Sequence, residues 1–287
     1  ERLTFIFKLR LYKMAQDLLK GKKGIIFGAL NDMSIAWKVA EQAVAQGAEI
    51  VLTNAPIAMR MGTINELAVK CNNCPIIPAD ATSEEDIQKL FEGAMEHFGG
   101  KIDFVLHSIG MSPNVRKGRH YTDLNYKFLQ TTLDVSAISL HKTLATAKKL
   151  DALNDWGSVV ALTYIAAQRT FPDYGDMADA KSLLESITRS FGYHYGVANK
   201  VRVNTISQSP TITTAGSGVK GFDEFIAYSQ SMSPLGNADA VSCADYCITM
   251  FSDLTRYVTM QNLFHDGGFS NTGVSMEVIS KFAPEEK

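Results

Sequence analysis

The hydrophobic positions of this chain form short continuous runs, and the segments between the runs carry apolar residues at helical spacing. After the first run, for example, Ile35, Val39 and Ala43 recur every four positions until Gly47 ends the pattern. Alternating strands and helices of this kind predict a parallel sheet covered on both faces, a Rossmann-like doubly wound α/β fold of about seven strands. The apolar runs lie at residues 22–28, 49–53, 75–79, 102–108, 158–164, 201–207 and 262–266.

Helix signals fit the same picture. Ser83 followed by Asp86 is the pattern of a capping box and predicts the start of a helix. Two long helices are predicted over residues 124–150 and 176–197. Since no internal repeat or low-complexity linker interrupts the alternation, we expect residues 14–287 to form a single domain.

Two segments differ from this alternation. Residues 1–13 mix aliphatic and basic side chains, and no small-residue cleavage site follows them, whereas Met14 precedes a plausible domain start. We interpret residues 1–13 as an upstream extension outside the fold. Residues 208–238 are rich in Ser, Thr and Gly and are too long for an ordinary connection, which predicts a mobile substrate lid.

The composition is typical of a cytoplasmic protein of the α/β class. The chain has 287 residues, a hydrophobic content of 46% and a net charge of -2, so no overall field attracts nucleic acid or an anionic membrane. Its apolar stretches are interrupted before they reach the length of a membrane span. We therefore expect neither nucleic acid nor a membrane as a partner.

Four cysteines form two pairs in the sequence, Cys71 with Cys74 and Cys243 with Cys247. The spacing is compatible with a zinc site, with two disulfides or with free thiols. No histidine accompanies either pair, which disfavours zinc. We favour reduced thiols in a cytosolic protein and expect no bound metal.

The turn after the first strand, GALNDMSIA, lies where an open parallel sheet binds nucleotide phosphates. The glycine-rich GxGxxG pattern is absent, because Gly28 is present but Ser34 and Ile35 stand where further glycines would be expected. A phosphate-binding turn and a plain strand-to-helix turn both remain open from this segment alone.

Residues after later strands offer further contacts for a dinucleotide. Asp80 could accept a hydrogen bond from an adenine amino group or could cap a helix, and the small Gly110 would let a ribose approach the backbone. The stretch after the second strand, which includes Ala55, has neither an acid for a ribose diol nor an arginine for a 2′-phosphate. This favours NADH over NADPH as cofactor, with Arg60 as the nearest base.

Tyr174 and Lys181 are seven residues apart in what the sequence predicts to be the opening turns of one long helix. Two helical turns would place both side chains on the same face. A cofactor ribose could lie between them, with the ammonium on its hydroxyls and the phenol near the nicotinamide. A surface lysine and a packed tyrosine would show the same spacing, so both interpretations remain open at this point.

The run YIAAQRTFPDYGDMADAKSLLE resembles the active-site segment of the bacterial enoyl-acyl-carrier-protein reductases, a divergent branch of the short-chain dehydrogenase/reductase family. That branch has a Y-x6-K pattern and a further tyrosine ten residues earlier, here Tyr164. The resemblance extends over residues 17–275 and includes the GALNDMSIA turn, HSIG, VRVNTIS and the terminal HDGGFS.

This resemblance implies hydride transfer from NADH to the β-carbon of a trans-2-enoyl thioester, the last reductive step of type II fatty acid elongation. Tyr174 would donate a hydrogen bond to the thioester oxygen, and Lys181 would bind the cofactor ribose. Tyr164 would be a second catalytic residue. The implied partners are an acyl-carrier protein that carries the enoyl chain and further copies of the chain in a homotetramer.

The resemblance also assigns binding residues by position. For Met177 and Phe222 alone, ordinary core packing would be the default interpretation. The substrate residues implied are Ser112, Met177 and Phe222. The cofactor residues implied are Gly28, Ser34, Ile35, Asp80, Ala81, Ile109, Gly110, Lys181, Thr211, Ile212, Thr213, Thr214 and Ala215.

The chain departs from the family pattern at three places. Ser209 precedes Pro210 where the family commonly has glycine, which could alter the shape of the nicotinamide pocket. Where relatives carry bases for an acidic carrier protein, this chain has Lys220 followed by Asp223 and Glu224, which weakens that docking patch. Ala55 occupies the position that often contacts the adenosine ribose, which leaves cofactor choice less determined than the chemistry.

Two other functions are compatible with the same fold. A short-chain carbonyl reductase or alcohol dehydrogenase would need a Y-x3-K pattern, but the residue four after Tyr174 is Ala178. A non-catalytic nucleotide sensor would keep the cofactor turn and would need no tyrosine and lysine. The presence of Tyr164, Tyr174 and Lys181 argues against a sensor.

Overall fold

The structure is a computed structural model that describes residues 17–211 and 221–283, without the side chains of Met61 and Phe222. The predicted upstream extension at residues 1–13 lies outside the described residues. The same is true of four predicted cofactor residues, Ile212, Thr213, Thr214 and Ala215.

The described residues form a six-stranded sheet in which every neighbouring pair of strands is parallel, in the order β2-β1-β3-β4-β5-β6. This confirms the predicted doubly wound α/β fold. The strand order reverses between β1 and β3, and ligands of such sheets bind outside the carboxyl ends of strands at that point. The strands are β1 Lys23–Phe27, β2 Glu49–Thr53, β3 Ile102–His107, β4 Leu153–Thr163, β5 Arg202–Gln208 and β6 Asn262–His265.

The prediction of a seventh strand at residues 75–79 was wrong. This segment runs along the edge of β2, where Ile76 and Leu52 form a single bridge. The N–H of Leu52 donates to the carbonyl of Pro75 at 3.0 Å, and the N–H of Ile77 donates to the carbonyl of Leu52 at 3.0 Å. Because prolines at 75 and 78 have no N–H to donate, the segment cannot extend this contact into a regular ladder.

Helices cover both faces of the sheet. None of those in the described ranges combines the length and the apolar content that crossing a membrane requires. The α-helices are α1 Ile35–Ala45, α2 Pro56–Met61, α3 Ile64–Lys70, α4 Glu84–Phe98, α5 Pro113–Arg116, α6 Tyr126–Leu133, α7 Ser139–Lys149, α8 Asp176–Asn199, α9 Phe222–Met232, α10 Ala240–Phe251 and α11 Met276–Ser280.

Two helix predictions are refined by the structure. Ser83 caps α4 as predicted, since its hydroxyl accepts the N–H of Asp86 at 3.2 Å. The reciprocal half of the capping box is missing, because the carboxylate of Asp86 accepts the N–H of Asp80 instead. The long helix predicted at 124–150 is present as α6 and α7, joined by the π-helical turn Asp134–Ile138.

The core has two apolar layers, one on each face of the sheet. On one face, Trp37 of α1 and Phe251 of α10 pack against the strands, and the ring of Phe251 stacks on that of Phe104 with centroids 4.6 Å apart. On the other face, Phe91 of α4 and Tyr195 of α8 are buried among residues of β1, β3 and β4. The sheet held between these layers is the scaffold for the side chains at its carboxyl edge.

Candidate active site

A cavity of about 520 Å³ lies at the carboxyl edge of the sheet, at the point where the strand order reverses. Residues that follow β1, β3, β4 and β5 line it, together with the first turns of α1 and α8. Most of the predicted site residues that the structure describes therefore share one cavity. Those that line it are Gly28, Ser34, Ile35, Ile109, Gly110, Ser112, Tyr164, Tyr174, Met177, Lys181 and Thr211.

The turn after β1 brings the backbone close to the end of β3. Gly28 has φ +94°, and a Cβ at this position would overlap the carbonyl oxygen of Ser108. Only glycine combines this backbone conformation with so close an approach. The sequence lacks the other glycines of a nucleotide-binding turn. Gly28, which is present, is required by the backbone conformation and by the close approach to Ser108.

Ser34 holds this turn closed in a way that leaves the helix start free. Its hydroxyl accepts the N–H groups of Leu30 at 3.1 Å and Asn31 at 3.2 Å, and it does not cap α1. The first N–H groups of a helix have no acceptor within the helix and bind anions readily. The start of α1, beside Ile35, is therefore suited to a phosphate.

Lys181 is buried beneath the cavity, with a relative exposure of 7%. Its ammonium donates to the carbonyl of Leu162 in β4 at 2.8 Å. Burial lowers the pKa of Lys181 to about 8, and the nearby charge of Glu185 opposes that effect. The lysine is thus mostly charged at neutral pH, and the N–H groups of its ammonium that Leu162 does not accept are available to a ligand.

Four aromatic side chains, Tyr164, Phe171, Tyr174 and Phe225, form one side of the cavity, which we call the aromatic wall. The ring of Tyr164 lies 5.1 Å from that of Tyr174 and 5.4 Å from that of Phe171. Phe171 is also 5.4 Å from Phe225, edge to face. Packing of this kind makes the wall apolar and leaves the tyrosine hydroxyls as its polar groups.

The hydroxyls of Tyr164 and Tyr174 lie in a largely apolar environment. The buried hydroxyl of Tyr164 has no hydrogen-bond partner among the described residues. Burial raises the pKa of Tyr164 and of Tyr174, and in Tyr164 the neighbouring Tyr174 adds to the effect. Both phenols therefore stay protonated at neutral pH and can donate a hydrogen bond to a ligand in the cavity.

The prediction that Tyr174 and Lys181 share one helical face was wrong. Tyr174 ends a 3-10 turn, Pro172–Tyr174, and α8 starts only at Asp176. Between them Gly175 has φ +51° and ψ −138°, which breaks the helical path. The two side chains nevertheless line the same cavity, because the turn and the helix reach it from adjacent positions in the fold.

The predicted substrate residue Ser112 is committed to a buried network. Its hydroxyl donates to the carboxylate of Asp176 at 2.6 Å and accepts the N–H of Val115 at 3.0 Å. Asn114 and Thr132 also donate to this carboxylate, at 2.8 and 2.9 Å. Asp176 is fully buried at the start of α8, so the network fixes this end of the helix against the residues after β3.

Two other predicted residues, Asp80 and Ala81, do not line the cavity. The carboxylate of Asp80 accepts the N–H and the hydroxyl of Thr82, at 2.9 and 2.7 Å, as in a local turn. Ala81 is buried in the core on the α4 side of the sheet. Phe222 opens α9, but its side chain is outside the described part of the structure, and Phe225 on the same helix lines the cavity. The four cysteines are free.

Sequence reasoning missed several cavity residues, including Asn54, Arg116 and Gln208. Asn54 donates to the carbonyl of Ala29 at 2.9 Å and so ties the end of β2 to the turn after β1. A polar residue directly after an apolar strand was the available signal for Asn54 and Gln208. Phe171 and Phe225 carried no signal, because a single aromatic residue, in an irregular segment for Phe171 and in α9 for Phe225, does not indicate a cavity.

Comparison with known proteins agrees with this geometry. The family described as "Enoyl-(Acyl carrier protein) reductase" matches residues 28–270. The crystal structure of the FabI–NADH complex from Alistipes finegoldii is 64% identical, covers 94% of this chain and 95% of its own, and superposes with a TM-score of 0.91.

Curated relatives agree with the family match. The FabI enoyl-[acyl-carrier-protein] reductase [NADH] of Rickettsia bellii is 34% identical over 264 residues, which are 91% of this chain and 98% of the relative. Enoyl-[acyl-carrier-protein] reductase [NADH] 2 of Rhizobium meliloti is 31% identical over 258 residues, which are 90% and 94% of the two chains. This chain therefore belongs to the enoyl-(acyl carrier protein) reductase family.

Proposed function

We propose that this protein is an NADH-dependent enoyl-[acyl-carrier-protein] reductase. The observation that supports this best is the convergence of Tyr164, Tyr174 and the buried Lys181 on one cavity at the point where the strand order reverses. Several relatives are named as NADH-dependent enzymes of this activity, and a similar crystal structure contains NADH.

The residues of the cavity fit a dinucleotide. The start of α1 beside Ser34 and Ile35 would bind its phosphates, and Lys181 would bind the ribose next to the nicotinamide. A Cβ at Gly110 would lie 3.6 Å from the Nζ of Lys181 and 3.4 Å from Met177, so it would fill the space that a ribose needs. When bound, the reduced nicotinamide supplies the hydride for the β-carbon of a trans-2-enoyl thioester.

The aromatic wall supplies the proton donor. Negative charge develops on the thioester oxygen during reduction, and a donor aimed at that oxygen stabilises the transition state more than the ground state. Tyr174, kept neutral by burial, would take this role. The hydroxyl of Tyr164 has no partner among the described residues and is available as a second donor at the same oxygen. The surrounding rings exclude water and so strengthen both hydrogen bonds.

Lys181 contributes by position and charge. One N–H is used by the carbonyl of Leu162, which fixes the ammonium beneath the cavity and leaves two N–H groups for ribose hydroxyls. Its positive charge also favours a polarised phenol on the neighbouring tyrosine. A bound ribose oriented in this way would hold the nicotinamide against the substrate.

An acidic acyl-carrier protein would approach the side of the cavity mouth formed by residues 113–120. Arg116 lines the cavity, and Lys117 and Arg119 follow it on the same exposed segment. At the start of α9, by contrast, Asp223 and Glu224 are exposed and would repel an acidic partner. This distribution of charge favours docking on the basic side.

Three further expectations belong to this proposal. The protein would be cytoplasmic and would assemble as a homotetramer, for which Tyr193 and Val197, 60% and 65% exposed on α8, offer apolar surface. The lid predicted at 208–238 falls partly outside the described residues. Its described part, residues 208–211 and 221–238, includes α9, which would order over the acyl chain through Phe225. Light scattering of the purified protein tests the tetramer.

The proposed activity is tested by following NADH absorbance with crotonyl-CoA, with a β-ketoacyl thioester and with no acceptor. We expect oxidation with the enoyl thioester alone and slower oxidation of NADPH. Reduction of the β-ketoacyl thioester instead would indicate a carbonyl reductase. Binding of NADH with no oxidation in any mixture would indicate a nucleotide sensor. A Tyr164→Phe, Tyr174→Phe double variant serves as the control for reduction outside the cavity.

A further inference from the structure

Lys181 has a second buried charge one helical turn away. Glu185 follows it by four residues on α8 and is 4% exposed. Residues at this spacing lie on the same side of a helix. The two charged groups are not within ion-pair distance of each other, so the carboxylate does not occupy the donors that Lys181 would offer to a ribose.

Neutral donors hold the carboxylate of Glu185 in place. The hydroxyl of Thr163, at the end of β4, and the amide of Asn262, at the start of β6, donate to its Oε1 at 3.0 and 3.1 Å. The amide of Gln168 donates to Oε2 at 2.9 Å. These donors are neutral, so they bind the carboxylate oxygens without placing a positive charge beside them.

The charge of Glu185 acts on a lysine that burial would otherwise neutralise. Burial is the main cause that lowers the pKa of Lys181, to about 8, and the attraction of Glu185 raises it. Because both groups are buried, this attraction is stronger than it would be in water. Glu185 is therefore the compensating charge for the buried ammonium.

The other titratable groups near Lys181 are poor substitutes for Glu185. Burial and the charge of Lys181 lower the pKa of His107 to about 3, so this imidazole is neutral. Tyr164 and Tyr174 are neutral phenols. The elements packed against α8 carry Arg116, Tyr126, Lys127, Asp134, His141, Lys142, Lys148, Lys149, Asp155 and Arg202. On α8 itself are Asp176, Asp179, Arg189, Tyr193, His194 and Tyr195, and at the end of β6 are His265 and Asp266.

We propose that Glu185 is a positioning residue for Lys181: its buried, neutrally bonded carboxylate keeps the lysine in the ammonium form that binds the cofactor, without touching the cofactor. This inference rests on the proposed role of Lys181 in binding NADH. A surface ion pair at this spacing stabilises its helix. The buried pair of Lys181 and Glu185 would instead serve cofactor binding.

The test is the dissociation constant of NADH, measured by fluorescence titration from pH 6 to pH 10 for the wild type and for Glu185→Gln. In the wild type, affinity should fall as the pH rises through about 8, where Lys181 loses its proton. In Glu185→Gln the fall should begin about one pH unit lower. The two proteins should then bind alike near pH 6 and differ roughly tenfold at pH 9.

Two companion variants separate charge from structure. Thr163→Val removes one hydrogen bond to Glu185 but keeps its charge, so its pH profile should match that of the wild type. The double variant Glu185→Gln, Gln168→Glu exchanges the amide and the carboxylate of this hydrogen-bonded pair. It restores a negative charge, but at a position further from Lys181. This double variant should recover part of the shift, and it keeps the test usable if Glu185→Gln alone does not fold.

The outcomes distinguish this inference from the proposed function. An unchanged profile in Glu185→Gln, or an equal loss of affinity at every pH, would overturn the role of Glu185 while leaving the reductase assignment intact. A wild-type profile with no fall above pH 8 would remove the role of Lys181 and the inference with it. Absence of enoyl thioester reduction, with the expected pH profiles, would contradict the proposed function alone.

Discussion

The aromatic wall and the buried charges of α8 meet at one cavity but are built in different ways. Asp176, Lys181 and Glu185 lie on one helix, and each is hydrogen-bonded to neutral groups of neighbouring elements. Tyr164 and Tyr174 lie in turns, where they pack mainly against other rings, and the Tyr164 hydroxyl has no described partner. The charged side chains of α8 are held by hydrogen bonds within the protein. The Tyr164 hydroxyl of the wall, by contrast, is available to form its hydrogen bond with a ligand.

This difference predicts that the two regions control different steps. Charged groups that are anchored to the sheet by hydrogen bonds hold their positions at little further cost, which suits Lys181 to bind a cofactor with its remaining N–H groups. Hydroxyls without a protein partner gain most when charge develops on a substrate oxygen, which suits them to the transition state. Removal of a tyrosine hydroxyl from the wall should therefore lower turnover, and substitutions of the helix charges should affect cofactor affinity.

The largest effect is expected for Tyr174→Phe. Loss of a positioned proton donor should lower kcat roughly 10²- to 10⁴-fold. Affinity for NADH should be unchanged, because the proposed contact of the phenol is with the substrate. Steady-state kinetics with an enoyl thioester and a fluorescence titration with NADH check both parts. Tyr193→Phe, on an exposed tyrosine of α8, is the matched control. Unchanged turnover would remove Tyr174 from the mechanism.

The next effect is expected for Lys181→Ala. Removing a charged donor to the ribose should weaken NADH binding roughly 10- to 100-fold, as judged by the usual contribution of charged hydrogen bonds. Fluorescence titration at pH 7 measures it, with Lys149→Ala, which replaces an exposed lysine of α7, as the control. If the variant binds NADH as tightly as the wild type, the assignment of this lysine to the cofactor is wrong.

A smaller effect is expected for Phe225→Ala. The loss of an apolar ring from the wall should raise KM for a long enoyl thioester roughly tenfold and leave KM for crotonyl-CoA nearly unchanged. Initial rates with substrates of increasing chain length measure the difference. Phe282→Ala, at a ring that is 83% exposed, is the control. Equal changes for short and long substrates would mean that Phe225 does not contact the acyl chain.

The smallest effect is expected from ligand binding at α9. Hydrogen exchange of the Phe222–Met232 backbone should slow a few-fold when NADH and a non-reactive substrate analogue are present. The Glu84–Phe98 helix, none of whose residues lines the cavity, should show no change. Equal protection of α9 with and without ligands would contradict the lid.

Much of the fold could be predicted from the sequence, because continuous apolar runs are required for strands buried on both faces. The run at residues 49–53 coincides with β2. The run at 75–79 failed because its two prolines interrupt the ladder, although it does lie along the sheet edge. A run of apolar residues indicates that a segment is buried. Pairing of that segment as a strand also requires backbone N–H groups, which proline lacks.

The candidate site was harder to predict than the fold. The Tyr174 and Lys181 pair could be found from the sequence, but its geometry could not, since glycine is compatible with many backbone conformations and only the structure shows the φ of +51° at Gly175. Glu185 and Lys181 show the spacing of an ordinary surface ion pair, and only the structure reveals that both are buried. The aromatic wall joins residues from three segments, so no local pattern could indicate it.

Gly175 separates the turn that carries Tyr174 from the helix that carries Lys181. Its backbone conformation, φ +51° and ψ −138°, lets the chain change direction between Tyr174 and the first residue of α8. A tyrosine placed on the helix itself would be tied to the orientation of the lysine. With glycine between them, the proposed donor could be reoriented for acyl groups of different shape without moving the lysine that we propose binds the cofactor. Substrate range and cofactor affinity can therefore diverge independently within this architecture.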